Sequence, residues 1–339
     1  MNPFQYVSAT SPDEAISLVG QNGRYLGGGI DLIDEMKAYI VSPDILVNVK
    51  EIDPFDSPPS GVQRPPPKIL PTMQTNGPPG YSLAGNITIA EIAASDAFKK
   101  DLPGLVEAAA EVGSPQIRNV ATLAGNLLQH SRCWYYRQPD LVCLKRGGTT
   151  CYGQDGENKY LSLFSGSACL SPIVSNLSII LSALGGYVTF KENAQSKSAR
   201  DYSFEEVYRK AWTDPAEHNS LRREDFLLEV HVPLKRTRSA YRQISEKSSF
   251  DWALVSCAAA GNVANGKITD ARVVLGAVAP VPYMVKEAND FLEGQPLTDA
   301  TASKAADLIL KDAKPLAQNG YKVPLAHTLI RRTLLALNP

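Results

Sequence analysis

Gly27-Gly28-Gly29-Ile30-Asp31-Leu32 follows directly on Arg24-Tyr25-Leu26, a run that reads as a short strand, and leads into an apolar helix start. Three adjacent glycines cost more backbone entropy than any other tripeptide. What they permit is left-handed backbone and unobstructed N–H groups, which together can wrap a phosphate. The spaced glycines of the Rossmann pattern are absent, so that dinucleotide site is excluded. On this stretch alone two readings stay open: a tight structural turn, or a pyrophosphate cradle running from Gly27 to Leu32.

Outward from this turn the first 53 residues read as compact α/β. Ser11-Pro12-Asp13-Glu14 has the form of a helix start, with Ser11 as N-cap and Pro12 at the first helical position. Ile45 to Val49 is a second short strand. A segment rich in Pro, Gly and Ser follows over 54–80, including Pro65-Pro66-Pro67. It is expected to be an extended surface linker, because proline supplies no N–H to a helix or a central strand. Order resumes at Tyr81, with helices expected around 89–94, 102–112 and 176–184 and strands over 186–191 and 226–233. A boundary is placed near Pro233. From 235 to 339 three strand-like runs precede three helical ones, the pattern of a small antiparallel sheet backed by helices.

A second unusual stretch is Arg118-Asn119-Val120-Ala121-Thr122-Leu123-Ala124-Gly125-Asn126. Small residues alternate here with hydrogen-bonding groups. Thr122 and Asn126 can reach a ligand by side chain, and Gly125 lets backbone approach one closely. A polar turn that caps the next element accounts for it equally well. Two such turns from two subdomains could close on one dinucleotide.

Five cysteines occur, and Cys133, Cys143, Cys151 and Cys169 fall within 37 residues. Their spacing is C-x9-C-x7-C-x17-C. Four soft thiolates suit an iron–sulfur cluster or tetrahedral zinc. Zinc sites usually show a short C-x2–4-C knuckle, and none is present; unligated thiols stay open as well. Cys257 sits in the apolar run Ala253 to Ala260 and is expected to be a buried core thiol. Apolar residues make up 44% of the chain, charged residues 20%, and the formal net charge is −1. That balance offers no cationic face for nucleic acid or an anionic membrane. No apolar run approaches the ~20 residues that span a bilayer. No signal segment is read at the N-terminus, so a cytoplasmic location is expected, or a periplasmic one if a partner carries the export signal.

Taken together, the turn at 27–32, the stretch Ile117 to Asn126, Phe250-Asp251-Trp252-Ala253-Leu254-Val255 and Leu275-Gly276-Ala277-Val278-Ala279-Pro280 resemble the FAD-binding medium subunits of the xanthine dehydrogenase/aldehyde oxidoreductase family. Within it, the resemblance is to the periplasmic aldehyde oxidoreductase type with an extra [4Fe–4S] cluster. It implies an α+β fold. Residues 1–233 would form a two-subdomain FAD-binding domain of the vanillyl-alcohol-oxidase (PCMH) type, with subdomains at about 1–53 and 81–233 and a cluster insertion at about 131–170. Residues 235–339 would form a C-terminal domain of the carbon monoxide dehydrogenase flavoprotein type. FAD would be held by Leu26, Gly27, Gly28, Gly29, Ile30, Asp31, Leu32, Thr122, Gly125, Asn126, Ser175, Asn176 and Lys247. A [4Fe–4S] cluster would be held by Cys133, Cys143, Cys151 and Cys169. Ile30 stands where relatives usually carry Thr, and Asn176 where they carry Asp. The implied partners are a molybdenum-cofactor large subunit, a [2Fe–2S] small subunit and an external electron acceptor; no residue here need act on the organic substrate. A self-contained flavin oxidoreductase and a cofactor-poor structural subunit remain alternatives.

Overall fold

A computed structural model of the chain describes residues 1–53, 68–72, 79–194 and 199–338. Its architecture is α+β, in three sheets. The first is parallel and three-stranded: β1 (Gln5–Ser8) and β2 (Gly23–Leu26) flank β3 (Ile45–Asn48). The helix Pro12–Val19 crosses over between β1 and β2. Ser11 caps it by accepting from the Glu14 amide, and Pro12 opens its first turn, where a missing N–H costs nothing.

The second sheet is antiparallel, in the order β4-β5-β8-β6-β7. It comprises β4 (Ile69–Thr72), β5 (Gly80–Ala84), β6 (Tyr187–Lys191), β7 (Arg200–Ser203) and β8 (Phe226–Pro233). Here the linker expectation needs correction. Ile69–Thr72 is not loop but an edge strand, paired with β5 from Ile69↔Leu83 to Thr72↔Gly80. Pro71 is tolerated because an edge strand has a neighbour on one side only. The remainder of the proline-rich linker, 54–67 and 73–78, lies outside the described residues. Behind this sheet the helix Asn176–Leu184 is almost wholly buried. It ends on Gly185, whose left-handed backbone closes the last turn.

The third sheet, β9 (Arg238–Ser245), β10 (Ala253–Ala264) and β11 (Lys267–Gly276), is antiparallel in the order β11-β10-β9. Helices Lys286–Leu292, Asp299–Leu310 and Lys322–Leu335 pack against it. Cys257 is fully buried there, as expected of a core thiol. The core around Asn176–Leu184 also takes in Tyr241, Ala258, Ala260 and Val274 from this sheet, so the two large parts of the chain share apolar contact.

The cysteine-bearing stretch does not stay on the sheet that precedes it. Its distal part docks on the C-terminal domain: Leu163 and Phe164 enter that domain's core, and both amides donate to the Val278 carbonyl. Asn319 donates to the carbonyls of Leu161 and Ser162, and the buried Lys322 ammonium donates to those of Tyr160 and Ala277. Among the described residues no helix is long and apolar enough to cross a membrane.

Candidate functional site

A cavity of about 590 Å³ opens between the parallel sheet, the turn at 121–126, the loop around His218 and the β9–β10 connection. That volume lies within the range of cofactor pockets. Leu26, Gly27, Gly28, Gly29, Ile30, Asp31 and Leu32 all line it, with Thr122, Gly125, Asn126 and Asn176 opposite.

The glycines have two separate causes. A β-carbon on Gly27 would lie 2.6 Å from the Thr122 hydroxyl, and one on Gly28 would lie 2.3 Å from the Val120 carbonyl oxygen. Both residues are glycine because the two turns press together. Gly29 has φ +73, the left-handed region that favours glycine. Among the described residues, the amides of Gly28, Gly29, Ile30 and Asp31 donate to no protein acceptor. Successive N–H groups without partners, beside a cavity, form an anion-binding concavity. The Ile30 side chain is 46% exposed, and its amide survives the missing hydroxyl. Arg24 also lines the cavity; burial first, then the nearby Arg223, hold its guanidinium below the ordinary value.

The second turn works differently. Its amides are already committed: Leu123 donates to the Ile87 carbonyl, Ala124 to Gly85, Gly125 to the Thr122 hydroxyl and Asn126 to the Thr122 carbonyl. Thr122 is therefore the N-cap of the helix Leu123–Leu127, a role worth ~1 kcal/mol. Asn126, which lines the cavity, accepts from the Ser175 hydroxyl at 2.8 Å and the Leu177 amide at 3.3 Å, and among the described residues its amide nitrogen has no protein acceptor. Asn176 donates to Gln243 and keeps its carbonyl oxygen for a ligand.

Two expected cofactor residues, Ser175 and Lys247, lie outside the cavity lining. Ser175 is 1% exposed, does not line the cavity, and spends its hydroxyl on Asn126 and on capping the next helix. Lys247 is exposed on the β9–β10 connection, outside the cavity lining. Phe250 and Trp252 of the same connection reach the cavity instead, 66% and 48% exposed. Asp31 lines the cavity, but its carboxylate is a strut. It accepts from Arg137 at 2.5 Å and from the His130 amide at 2.9 Å.

That strut belongs to a buried network. Glu35, 1% exposed, accepts from His130 Nδ1 at 3.0 Å and from the Tyr136 hydroxyl at 2.8 Å. Burial pushes its carboxyl up, yet the His130 hydrogen bond and charge, Arg137 and Tyr136 outweigh it and hold the group below the ordinary value. His218 stacks on His130 with ring centroids 4.3 Å apart. Burial, then the charge of His130, push the His218 imidazole well below an ordinary histidine. Asp31, Glu35 and His130 bring ligand atoms within 4.8 Å of one another. Arg137 and Arg132 already neutralise those carboxylates, so the trio is an ion-pair network and not a cation site. His218 gave no signal in the sequence, because only the fold brings it beside His130.

Beyond this network lies a small cavity of about 20 Å³, lined by Cys133, Cys143, Cys151 and Cys169 together with Tyr135, Tyr136 and Lys145. Local backbone explains how distant cysteines meet. Gly147 is left-handed at φ +81, and Gly148 packs so closely on Val142 that a β-carbon would lie 2.0 Å from its carbonyl oxygen. Arg146 donates to the carbonyls of Gln138, Pro139 and Leu141, which draws the loop shut. No three of the sulfurs come within 4.8 Å of one another. Four thiolates on one zinc at ~2.3 Å would sit only ~3.8 Å apart. Burial pushes the Cys133 thiol up to about 11, so without a metal it stays protonated.

Two family profiles match the chain: "FAD binding domain in molybdopterin dehydrogenase" over 69–235 and "CO dehydrogenase flavoprotein C-terminal domain" over 239–337. The aldehyde oxidoreductase FAD-binding subunit PaoB of Escherichia coli K12 is 26% identical, across 99% of this chain and 98% of its own length. The carbon monoxide dehydrogenase medium chain of Hydrogenophaga pseudoflava is 23% identical, across 98% and 96%. Among solved structures, reconstituted CO dehydrogenase from Oligotropha carboxidovorans superposes with a TM-score of 0.73 at 20% identity, covering 99% of both chains. Quinoline 2-oxidoreductase from Pseudomonas putida 86 gives 0.70 at 20% identity, covering 98% and 96%.

Proposed function

Since this chain belongs to the family of FAD-binding medium subunits of molybdopterin-dependent dehydrogenases, we propose that it is the flavin-bearing electron-transfer subunit of a molybdenum hydroxylase complex. In this reading it takes electrons from a large molybdenum-cofactor subunit and a small [2Fe–2S] subunit and passes them to an external acceptor. The observation that carries the reading is the row of partnerless amides at Gly28 to Asp31, facing a cofactor-sized cavity. FAD, when bound, supplies the redox chemistry; the protein supplies position and electrostatics.

Each residue then has a stated task. The amides of Gly28 to Asp31 would hold the pyrophosphate, and Arg24 would add positive potential beside it. The Asn126 amide nitrogen and the Asn176 carbonyl oxygen would fix polar edges of the cofactor. Phe250 and Trp252 would cover its mouth and restrict water. Cys133, Cys143, Cys151 and Cys169 would hold a [4Fe–4S] cluster, a reading supported by their convergence on one cavity with spacing too wide for a single zinc. The names of the relatives support the partners, since they describe FAD-binding subunits and medium chains.

A visible spectrum of the pure chain tests the flavin, and iron with acid-labile sulfide tests the cluster. Flavin bands with a broad iron–sulfur shoulder are expected, and Cys143→Ser should lose iron while keeping FAD. A colourless chain would overturn the flavin reading. Unchanged iron in Cys143→Ser would overturn the ligand set. Purification with its neighbours followed by a molybdenum assay tests the complex.

A further inference from the structure

Lys145 is a buried cation whose surroundings the flavin does not explain. It sits on the short 3-10 turn Leu144–Arg146, directly after Cys143. Only 8% of the residue is exposed, and it lines the cysteine cavity. Its ammonium donates to the Glu217 carbonyl at 2.7 Å. Among the described residues it makes no ion pair with a carboxylate, and Cys133, Cys143, Cys151 and Cys169 line the same cavity.

A desolvated ammonium with one carbonyl partner is costly unless an anion completes its shell. Four thiolates around an iron–sulfur cluster form such an anion. We propose that Lys145 is a positioning charge for the cysteine-bound cluster, raising its reduction potential by placing a fixed cation at the wall of the cysteine cavity. The inference rests on the cluster reading above. One-electron reduction adds a negative charge to an assembly that is already negative, so the ammonium favours the reduced form more than the oxidised one. Net charge and hydrogen bonding near the sulfurs are among the levers that set such potentials.

Lys145 also reaches toward the flavin side. The Glu217 carbonyl that it grips begins the stretch Glu217-His218-Asn219, all three of which line the larger cavity. Lys145 therefore lines the cysteine cavity while its ammonium donates to a residue that lines the larger one.

The test uses the full chain purified with its partners. Iron, acid-labile sulfide and FAD are counted per chain, and the cluster is titrated potentiometrically by electron paramagnetic resonance. Lys145→Met should retain FAD and show a cluster midpoint displaced to more negative potential, whereas Lys145→Arg, which keeps the charge, should titrate near the wild type. An iron-replete Lys145→Met with the wild-type midpoint overturns the inference. A midpoint in Lys145→Arg displaced as far as in Lys145→Met overturns it too, by assigning the effect to packing. Wild-type protein without acid-labile sulfide overturns the cluster reading itself, and is told apart because no variant is needed to see it.

Discussion

A β-carbon added to Gly28 would lie 2.3 Å from the carbonyl oxygen of Val120 and 2.7 Å from the α-carbon of Ala121. Neither neighbour is the end of a flexible side chain, so one of two backbones must move. The glycine turn and the second turn are thus a single object, and the spacing between them sets the width of the cavity.

Gly28→Ala should therefore cost about 1–3 kcal/mol through overpacking and lower FAD retention at least several-fold. Gly125→Ala is the control. Its β-carbon meets only the Thr122 hydroxyl, at 3.1 Å. FAD released per chain, measured by fluorescence after denaturation, should be near wild type for Gly125→Ala and clearly reduced for Gly28→Ala. Equal retention would contradict this account.

Asn126 separates a ligand contact from a structural one. Asn126→Asp keeps the oxygen that accepts from Ser175 and Leu177 but replaces the amide nitrogen with a charge. Thermal stability should change little while FAD dissociates roughly tenfold more readily, the cost of about one lost hydrogen bond. Lys247→Ala should leave FAD affinity unchanged, since that side chain lies outside the cavity lining. A weakened Lys247→Ala would mean that the β9–β10 connection closes over the cofactor.

How much could be read from the chain follows from how local each cause is. Ser11 and Pro12 announce a helix because their roles are settled within one turn, and the helix Asn176–Leu184 shows its apolar character in its own residues. The glycine turn was legible as a place where backbone must come close. What it comes close to, the Val120 carbonyl, is 92 residues away and visible only when folded. Pro71 concealed an edge strand, because a proline rule excludes central strands and says little about edges. The family resemblance points to Ser175 and Asp31 as cofactor residues. Their side chains serve Asn126 and Arg137, contacts that no local pattern encodes.

Glu35→Gln tests the buried network. The native carboxylate is held below the ordinary value, so it contributes stability above the unfolded carboxyl value of ~4.3, and that share is lost as pH falls through the lower folded value. At neutral pH the variant should be less stable by about 3 kcal/mol, since it removes the anion from a buried pair. Its stability should also fall less steeply on acidification than the wild type. Denaturation midpoints at about pH 7 and from about pH 5 down to about pH 2.5 check both parts; parallel curves would show that the carboxylate is not linked to folding.

Lys322 shifts stability with pH in the same direction but in a higher window. Burial lowers its ammonium to about 7, while its amine donates to the carbonyls of Tyr160 and Ala277. Between that value and the unfolded ~10.4, the unfolded chain binds a proton that the folded chain does not, so this group makes stability rise with pH across that window and adds no slope below it. Lys322→Met should be destabilised by about 1–3 kcal/mol, because two buried carbonyls lose their donor, and should lack the rise. Urea midpoints at pH 7 and pH 9 decide; an undiminished rise in the variant would assign the linkage elsewhere.

The anchoring of Leu163 and Phe164 beneath Val278 bears on how such a subunit could gain or shed its thiol-rich segment. A segment that merely looped out could be excised as a cassette. This one plugs a neighbouring hydrophobic face, so trimming it would leave greasy surface bare and invite clumping. An engineer seeking a version without the thiols would do better to swap the four sulfurs one by one and leave the plug in place.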